Sequence, residues 1–186
     1  MAEAAEDYGY PVIEGRRKVC LWSRWPLHSI DHGPAALPPG RYVSATAETP
    51  LGAVKVVGVC IPWRDAHVRT GRRDRQPWQD HIAYLHGLRE LAKGWAARTM
   101  VIGDFNQRVP PRSQPERAVD ALRKAMGSNL RIATEGLCDE TGSAAIDHLA
   151  LTSDLIVDGI SLLPSTEDGR KLSDHFGWAA STSIRS

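Results

Sequence analysis

The 186-residue sequence contains no run near the roughly 20 apolar residues that cross a bilayer. Its first residues, Met1 to Asp7, are acidic rather than apolar, so neither a membrane anchor nor a signal peptide is expected. Cysteine is scarce: Cys20, Cys60 and Cys138 are odd in number, widely spaced and without a Cys-x-x-Cys pair. That excludes a disulfide framework or a zinc knuckle and suits a reducing cytoplasm. Net charge is almost absent, at +1, so attraction to phosphate must come from a local cluster rather than from the whole molecule. Neither Gly-x-Gly-x-x-Gly nor Gly-x-x-x-x-Gly-Lys occurs, which disfavours a Rossmann-like or P-loop nucleotide-binding protein. What is present, 42% hydrophobic and 24% charged residues, is the composition of an ordinary globular domain with a sizeable core.

Short apolar runs alternate with polar loops. Residues 18–23, 41–46 and 53–61 are rich in β-branched and aromatic side chains and bounded by Gly and Pro, and they predict strands. The Pro- and Gly-dense stretch 31–40 predicts a surface loop. Trp78, Ile82, Leu85, Leu88, Leu91, Ala92 and Trp95 recur at three- and four-residue intervals, predicting a helix over 77–95 with Pro77 at its first position. A second helix is expected near 115–126, and further strands over 99–102, 146–151, 155–163 and 176–182. Trp22, Trp78 and Trp95 fall on core-facing positions of these elements, and His81 and His86 read as structural.

Three separated segments place acidic and imidazole groups beside strand ends. In Gly103-Asp104-Phe105-Asn106, side chains two apart on an extended segment point the same way, so Asp104 and Asn106 could share a rim; a plain strand-end turn fits the same residues. In Ile146-Asp147-His148 the carboxylate either faces outward from a strand or fixes the tautomer of an imidazole elsewhere. Ser173-Asp174-His175 follows the turn-like Glu167-Asp168-Gly169-Arg170. Its histidine has the ordinary pKa of about 6.5 that suits activation of water near neutrality.

Taken together, Val101 to Asn106, Ile146 to His148 and Leu172 to His175 resemble the endonuclease/exonuclease/phosphatase superfamily of metal-dependent phosphoesterases. Leu21 to Pro26, with its Ser23-Arg24-Trp25-Pro26 ending, and Val56 to Pro62 add weaker matches. The resemblance implies an α/β (α+β) fold, a two-sheet β-sandwich flanked by helices, over residues 8–186, with 1–7 a disordered or residual N-terminus. It implies that His175 is the general base, that Asp147 holds its imidazole, and that Asp104 and Asn106 orient nucleophile and phosphate. Asp174 would lie near the metal, Mg²⁺ or Mn²⁺, which hard carboxylate oxygens suit. The partner implied is a phosphate-ester substrate, with nucleic acid among the candidates.

Two departures stand out. The family's first strand-helix-strand unit, ending in the glutamate that is its principal metal ligand, has no counterpart here. Glu3, Glu6 and Glu14 are the only early glutamates, so the domain is expected to be N-terminally incomplete. An inactive relative that at most binds phosphate compounds is the alternative to an enzyme. Cys60 stands where family nucleases carry a phosphate-touching Tyr or His, and reads as a buried thiol; Trp63, Arg64 or His67 could take over part of that role. The Arg-rich stretch 64–75 is either a substrate-holding loop or a solvated one partly paired with Asp65 and Asp74.

Overall fold

A computed structural model describes residues 1–4 and 17–185. The expected domain start at Tyr8, together with Glu6 and Glu14, lies outside the described residues. In chain order, β1 (Ala2–Glu3) and β2 (Cys20–Leu21) form an antiparallel pair, followed by β3 (Leu27–Asp31), β4 (Tyr42–Thr49) and β5 (Gly52–Cys60). Next come α1 (Gln79–Ala92), β6 (Thr99–Asp104), α2 (Glu116–Met126), β7 (Leu130–Ile132) and β8 (Asp147–Thr152). The last elements are β9 (Leu155–Leu163), the short pair β10 (Thr166–Glu167) and β11 (Arg170–Lys171), and β12 (Gly177–Ile184).

A six-stranded mixed sheet, ordered β3-β4-β5-β6-β8-β7, organises the molecule, with β5 and β6 its parallel neighbours. Alternation along the strands gives it two apolar faces. Val57, Val59, Val101 and Ala150 turn to one side, where they pack with Tyr84, Leu85 and Leu88 of α1 and Ala121, Leu122 and Ala125 of α2. Both helices earn this position from buried residues three and four apart. The opposite face carries two separate strand pairs. The β1–β2 pair covers Val43 and Ala45, with Val56 and Ile102 beside them. The antiparallel β9–β12 pair lies by Leu149 and Leu151, with Met100 and Ile102 beside them. Beside the β9–β12 pair a cleft of about 590 Å³ opens over Met100 and Ile102, and Leu163 and Trp178 also line it. The two-layer sandwich with helices on one flank is as expected. Among the described residues, no helix is long and apolar enough to cross a membrane.

Several local expectations need correction. Only Cys20–Leu21 of the stretch 18–23 is a strand. Trp22 is 79% exposed, not core-facing, because the chain leaves the sheet there into a turn in which the Trp25 amide donates to Ser23 Oγ at 3.0 Å. Ala2–Glu3, expected outside the domain, form a strand whose Ala2 is buried, and Glu3 pairs with Arg17 at 3.5 Å. β3 has no apolar alternation to betray it. It is an edge strand, almost entirely exposed, and it pairs irregularly with β4. The long helix starts at Gln79 rather than Pro77, since Trp78 takes a left-handed conformation (φ 72°). It ends at Ala92, so Trp95 reaches the core from a following turn instead. Trp78 packs edge-on against His81 at 4.9 Å.

Candidate active site

The site grows from one row across the main sheet. Backbone pairing sets Arg41 beside Cys60, whose amide donates to the Arg41 carbonyl at 3.0 Å. Register then sets Cys60 beside Asp104 and Asp104 beside Asp147. Residues opposite one another on neighbouring strands share a face, so a guanidinium, a thiol and two carboxylates line up along the strand ends. The chain makes room for this at Gly103, whose φ of 132° is open to glycine and where a Cβ would stand 2.1 Å from the Val59 carbonyl oxygen.

Beyond β6 the chain turns sharply. Asn106, at φ 51°, donates its amide to Asp104 Oδ1 at 2.7 Å and its side-chain Nδ2 to Asp104 Oδ2 at 2.6 Å. The same Nδ2 also reaches the Ile61 carbonyl at 2.9 Å. Phe105 turns into the core, fully buried, as its place between these polar residues predicts. The Asp-x-Asn segment is therefore both things the sequence allowed, a strand-end turn and a shared polar rim.

Asp147 begins β8 and accepts from His175 Nδ1 at 3.0 Å. Its own carbonyl accepts from Trp178 Nε1 at 3.1 Å, tying the start of β8 to β12. Asp174 stands at the rim, 81% exposed, with Oδ2 3.9 Å from His175 Nε2. A second cleft, about 380 Å³, opens over Asp104, Asn106 and His175, and Trp63, Thr70, Asp174, Cys60, Arg41 and Lys18 also line it. Trp63 is 38% exposed there. Arg64 lies outside that lining and pairs with Asp65 at 3.2 Å. His67 bonds Asp80 at the start of α1, 2.6 Å away. Of the arginine-rich stretch, Arg72 pairs with Asp74 and Arg75 with Asp80, while Thr70 faces the cleft. Cys60, expected to be buried, is half-buried and borders the cleft. His81 is structural as expected, buried between the Pro62 carbonyl at 2.8 Å and Gln107 Oε1 at 2.9 Å; His86 is exposed.

Crowding two carboxylates has an electrostatic cost. Burial, followed by the negative charge of Asp147, pushes the Asp104 pKa up to about 6, against the opposing pull of the Asn106 amide, His175 and Arg41. Burial also raises the pKa of Asp147, against the charge and hydrogen bond of His175. Asp104, Asp147 and His175 can each point a ligand atom within 4.8 Å of the others. Hard oxygens held together at raised pKa are the donor set a divalent cation would relieve, so these residues fit such an ion.

No protein-family model matches the sequence, and no curated protein matches it. Solved structures do. One is an endonuclease/exonuclease/phosphatase from Beutenbergia cavernae, 16% identical, with a TM-score of 0.60 over 87% of this chain and 46% of that one. The chain has the endonuclease/exonuclease/phosphatase fold. The endonuclease domain of TRAS1, a telomere-specific non-LTR retrotransposon, matches at 21% identity and TM-score 0.53 over 91% of this chain and 80% of its own. The human Nocturnin catalytic domain with bound sulfate matches at 16% identity and TM-score 0.56 over 98% and 71%. The chain thus spans less than half of the Beutenbergia structure and more than two thirds of the other two. Within this fold, the sequence had pointed to Asp104, Asn106, Asp147, Asp174 and His175, and they converge on one rim. Arg41, Lys18 and Thr70 were not picked out; each belongs to a segment remote from the acidic motifs, and only strand pairing and loop packing bring them in.

Proposed function

We propose that the chain is a metal-dependent phosphoesterase that hydrolyses phosphodiester or phosphomonoester bonds. The observation that carries this reading is the His175–Asp147 pair, 3.0 Å apart, beside the Asp104–Asn106 rim. A carboxylate can only accept, so the proton of that bond sits on Nδ1 and leaves Nε2 as the basic nitrogen. Nε2 would take a proton from the attacking water, and Asp147 would hold the ring and offset the charge it gains. Such a base contributes about 10²- to 10⁴-fold in rate. Asn106, fixed by Asp104 and the Ile61 carbonyl, would orient the scissile phosphate. A Mg²⁺ or Mn²⁺ ion bound by Asp104 and Asp147, with Asp174 at the rim, would offset charge on the phosphoryl oxygens.

Trp63 at the cleft wall offers a ring to a leaving group, and nucleic acid is the substrate we favour among phosphate esters. The half-exposed indole beside the site and the likeness in fold to a retrotransposon endonuclease support it. Three free cysteines suit a reducing cytoplasm. The test is hydrolysis of bis(p-nitrophenyl) phosphate with and without Mg²⁺ or Mn²⁺. Metal-stimulated turnover that His175→Ala lowers by about 10²- to 10⁴-fold is expected. Equal turnover by the variant refutes the role of His175, and no turnover by the native chain favours the inactive, phosphate-binding alternative.

A further inference from the structure

α2 runs into β7 at the outer corner of the main sheet, where β7 is the edge strand and pairs with β8 alone among the described residues. At this corner the helix-side core opens into a cavity of about 390 Å³, floored by Val109, Val119, Leu122, Met126, Leu130 and Ile132. Residues 119, 122 and 126 are three and four apart, so α2 presents them as one stripe, and Leu130 and Ile132 alternate onto one side of β7. Val109, Val119 and Ile132 are only half-buried, which leaves the floor open rather than sealed. The loop wall over 107–111 is braced: the Arg108 carbonyl accepts from Gln114 Nε2 at 3.0 Å, and the Val109 carbonyl from the Gly136 amide at 2.8 Å. Deeper in, Gln107 is buried, its carbonyl accepting from His148 Nε2 at 2.9 Å. The cavity is therefore formed before any ligand arrives, and it shares no lining residue with either cleft described above. Its mouth is positive. Arg108, Arg123 and Arg131 line it against one carboxylate, Glu135. Arg123 is paired with Asp120 at 2.6 Å, whereas the exposed Arg108 and Arg131 make no ion pair among the described residues.

We infer that this cavity binds a small amphipathic carboxylate, its aliphatic chain on the α2–β7 floor and its head on Arg108 and Arg131. The site goes beyond the phosphoesterase reading and does not depend on it. A volume of about 390 Å³ lies at the lower end of the range of roughly 300–1,000 Å³ that small-molecule pockets occupy. No aromatic side chain lines the cavity, so a nucleobase finds no ring to stack on. A flexible chain suits a floor of branched aliphatic residues and Met126, whose unbranched thioether adapts to irregular contacts. Guanidinium forks match the two oxygens of a carboxylate. A neutral apolar ligand would leave that fork unused, and a bare inorganic anion would leave the floor uncovered.

Calorimetric titration of the full chain with octanoate, octan-1-ol and acetate tests this. Octanoate should bind saturably at one site, with a Kd on the order of 1 mM or tighter for a ligand of that size. Octan-1-ol, which has the chain without the charge, should bind more weakly, and acetate, the head without the chain, should give no measurable saturation. The double variant Arg108→Gln/Arg131→Gln should weaken octanoate about 2- to 30-fold, the loss of two exposed charge contacts, and leave octan-1-ol unchanged. Val119→Glu puts a carboxylate on the floor and should abolish octanoate binding. If circular dichroism shows that Val119→Glu does not fold, the arginine variant, altered only at exposed positions, carries the comparison. A native chain that does not saturate with octanoate overturns the assignment. So does unchanged octanoate binding by the folded variants, which would place the ligand on apolar surface elsewhere. Octan-1-ol binding as tightly as octanoate overturns the anionic head. None of these readouts involves turnover, so their failure leaves the phosphoesterase reading to stand on His175, and failure of that reading leaves the cavity.

Discussion

Replacing Asp104 with Asn should stabilise the protein near neutral pH and not in acid. Asp104 is largely withdrawn from water beside Asp147, and its pKa rises from 3.8 to about 6. The folded state therefore holds a proton that the unfolded state has already released between those values. The contribution of this group is fully present below pH 3.8 and is lost as pH rises through about 6. The shift corresponds to about 3 kcal/mol of destabilisation at pH 7.5. Asn removes the charge but loses one of the two bonds that Asp104 accepts from Asn106, at about 1 kcal/mol. A net gain of about 2 kcal/mol remains, or about 4–8 °C in Tm for a chain of this size. At pH 4 the charge penalty falls to about half a kcal/mol, and the lost hydrogen bond should leave the variant slightly less stable than the native chain. Calorimetric or circular-dichroism melts of both proteins at the two pH values measure this. A variant no more stable at pH 7.5, or equally stabilised at both, refutes the claim that Asp104 carries a desolvated, crowded charge.

Two further outcomes follow from the geometry. Gly103→Ala must place a Cβ 2.1 Å from the Val59 carbonyl at a φ of 132°, so it should cost about 3 kcal/mol or more and shift the denaturant midpoint sharply; a near-native midpoint would show that β5 and β6 can separate without loss. His81→Leu leaves the Pro62 carbonyl and the Gln107 amide without their shared partner and should cost about 2–4 kcal/mol in urea melts. A native-like midpoint would show that the bridge between the end of β5 and the Asn106–Gln107 turn does not matter.

The chemistry of the site was legible because each of its pieces is local. Gly103 to Asn106, Ile146 to His148 and Ser173 to His175 each put a polar pair at the end of an apolar run, and strand periodicity then decides which side chain turns to the core and which to the rim. Phe105 goes inward and Asp104 and Asn106 face the cleft, as alternation requires. Local pattern was also sufficient for both helices and for β9, whose apolar content has no competing reading. It failed where exposure and sequence diverge. Trp22 sits in an aromatic-rich run yet lies on a turn. β3 is a strand by pairing alone, since its edge position asks for no apolar face. Trp78 displaced the helix start because a left-handed residue stands where Pro77 predicted the first turn.

What no local pattern contains is the cross-strand row. Arg41 and Cys60 lie 19 positions apart, and Cys60, Asp104 and Asp147 lie further apart still. They share a rim only because β4, β5, β6 and β8 are neighbours in that order and in one register. Side chains alternate with period two, so a slip of β5 by a single residue would turn Cys60 toward the helices and bring a Val or Ile side chain against Asp104. The register is held from the other face. Val57, Val59 and Ile61, at the opposite parity to Cys60, are buried against Tyr84, Leu85 and Leu88 of α1, and the slip would expose them. The apolar core on the helix side therefore fixes the polar row on the cleft side. The Asp104 carboxylate can be kept at a raised pKa because the stability that holds it there comes from residues that take no part in the chemistry.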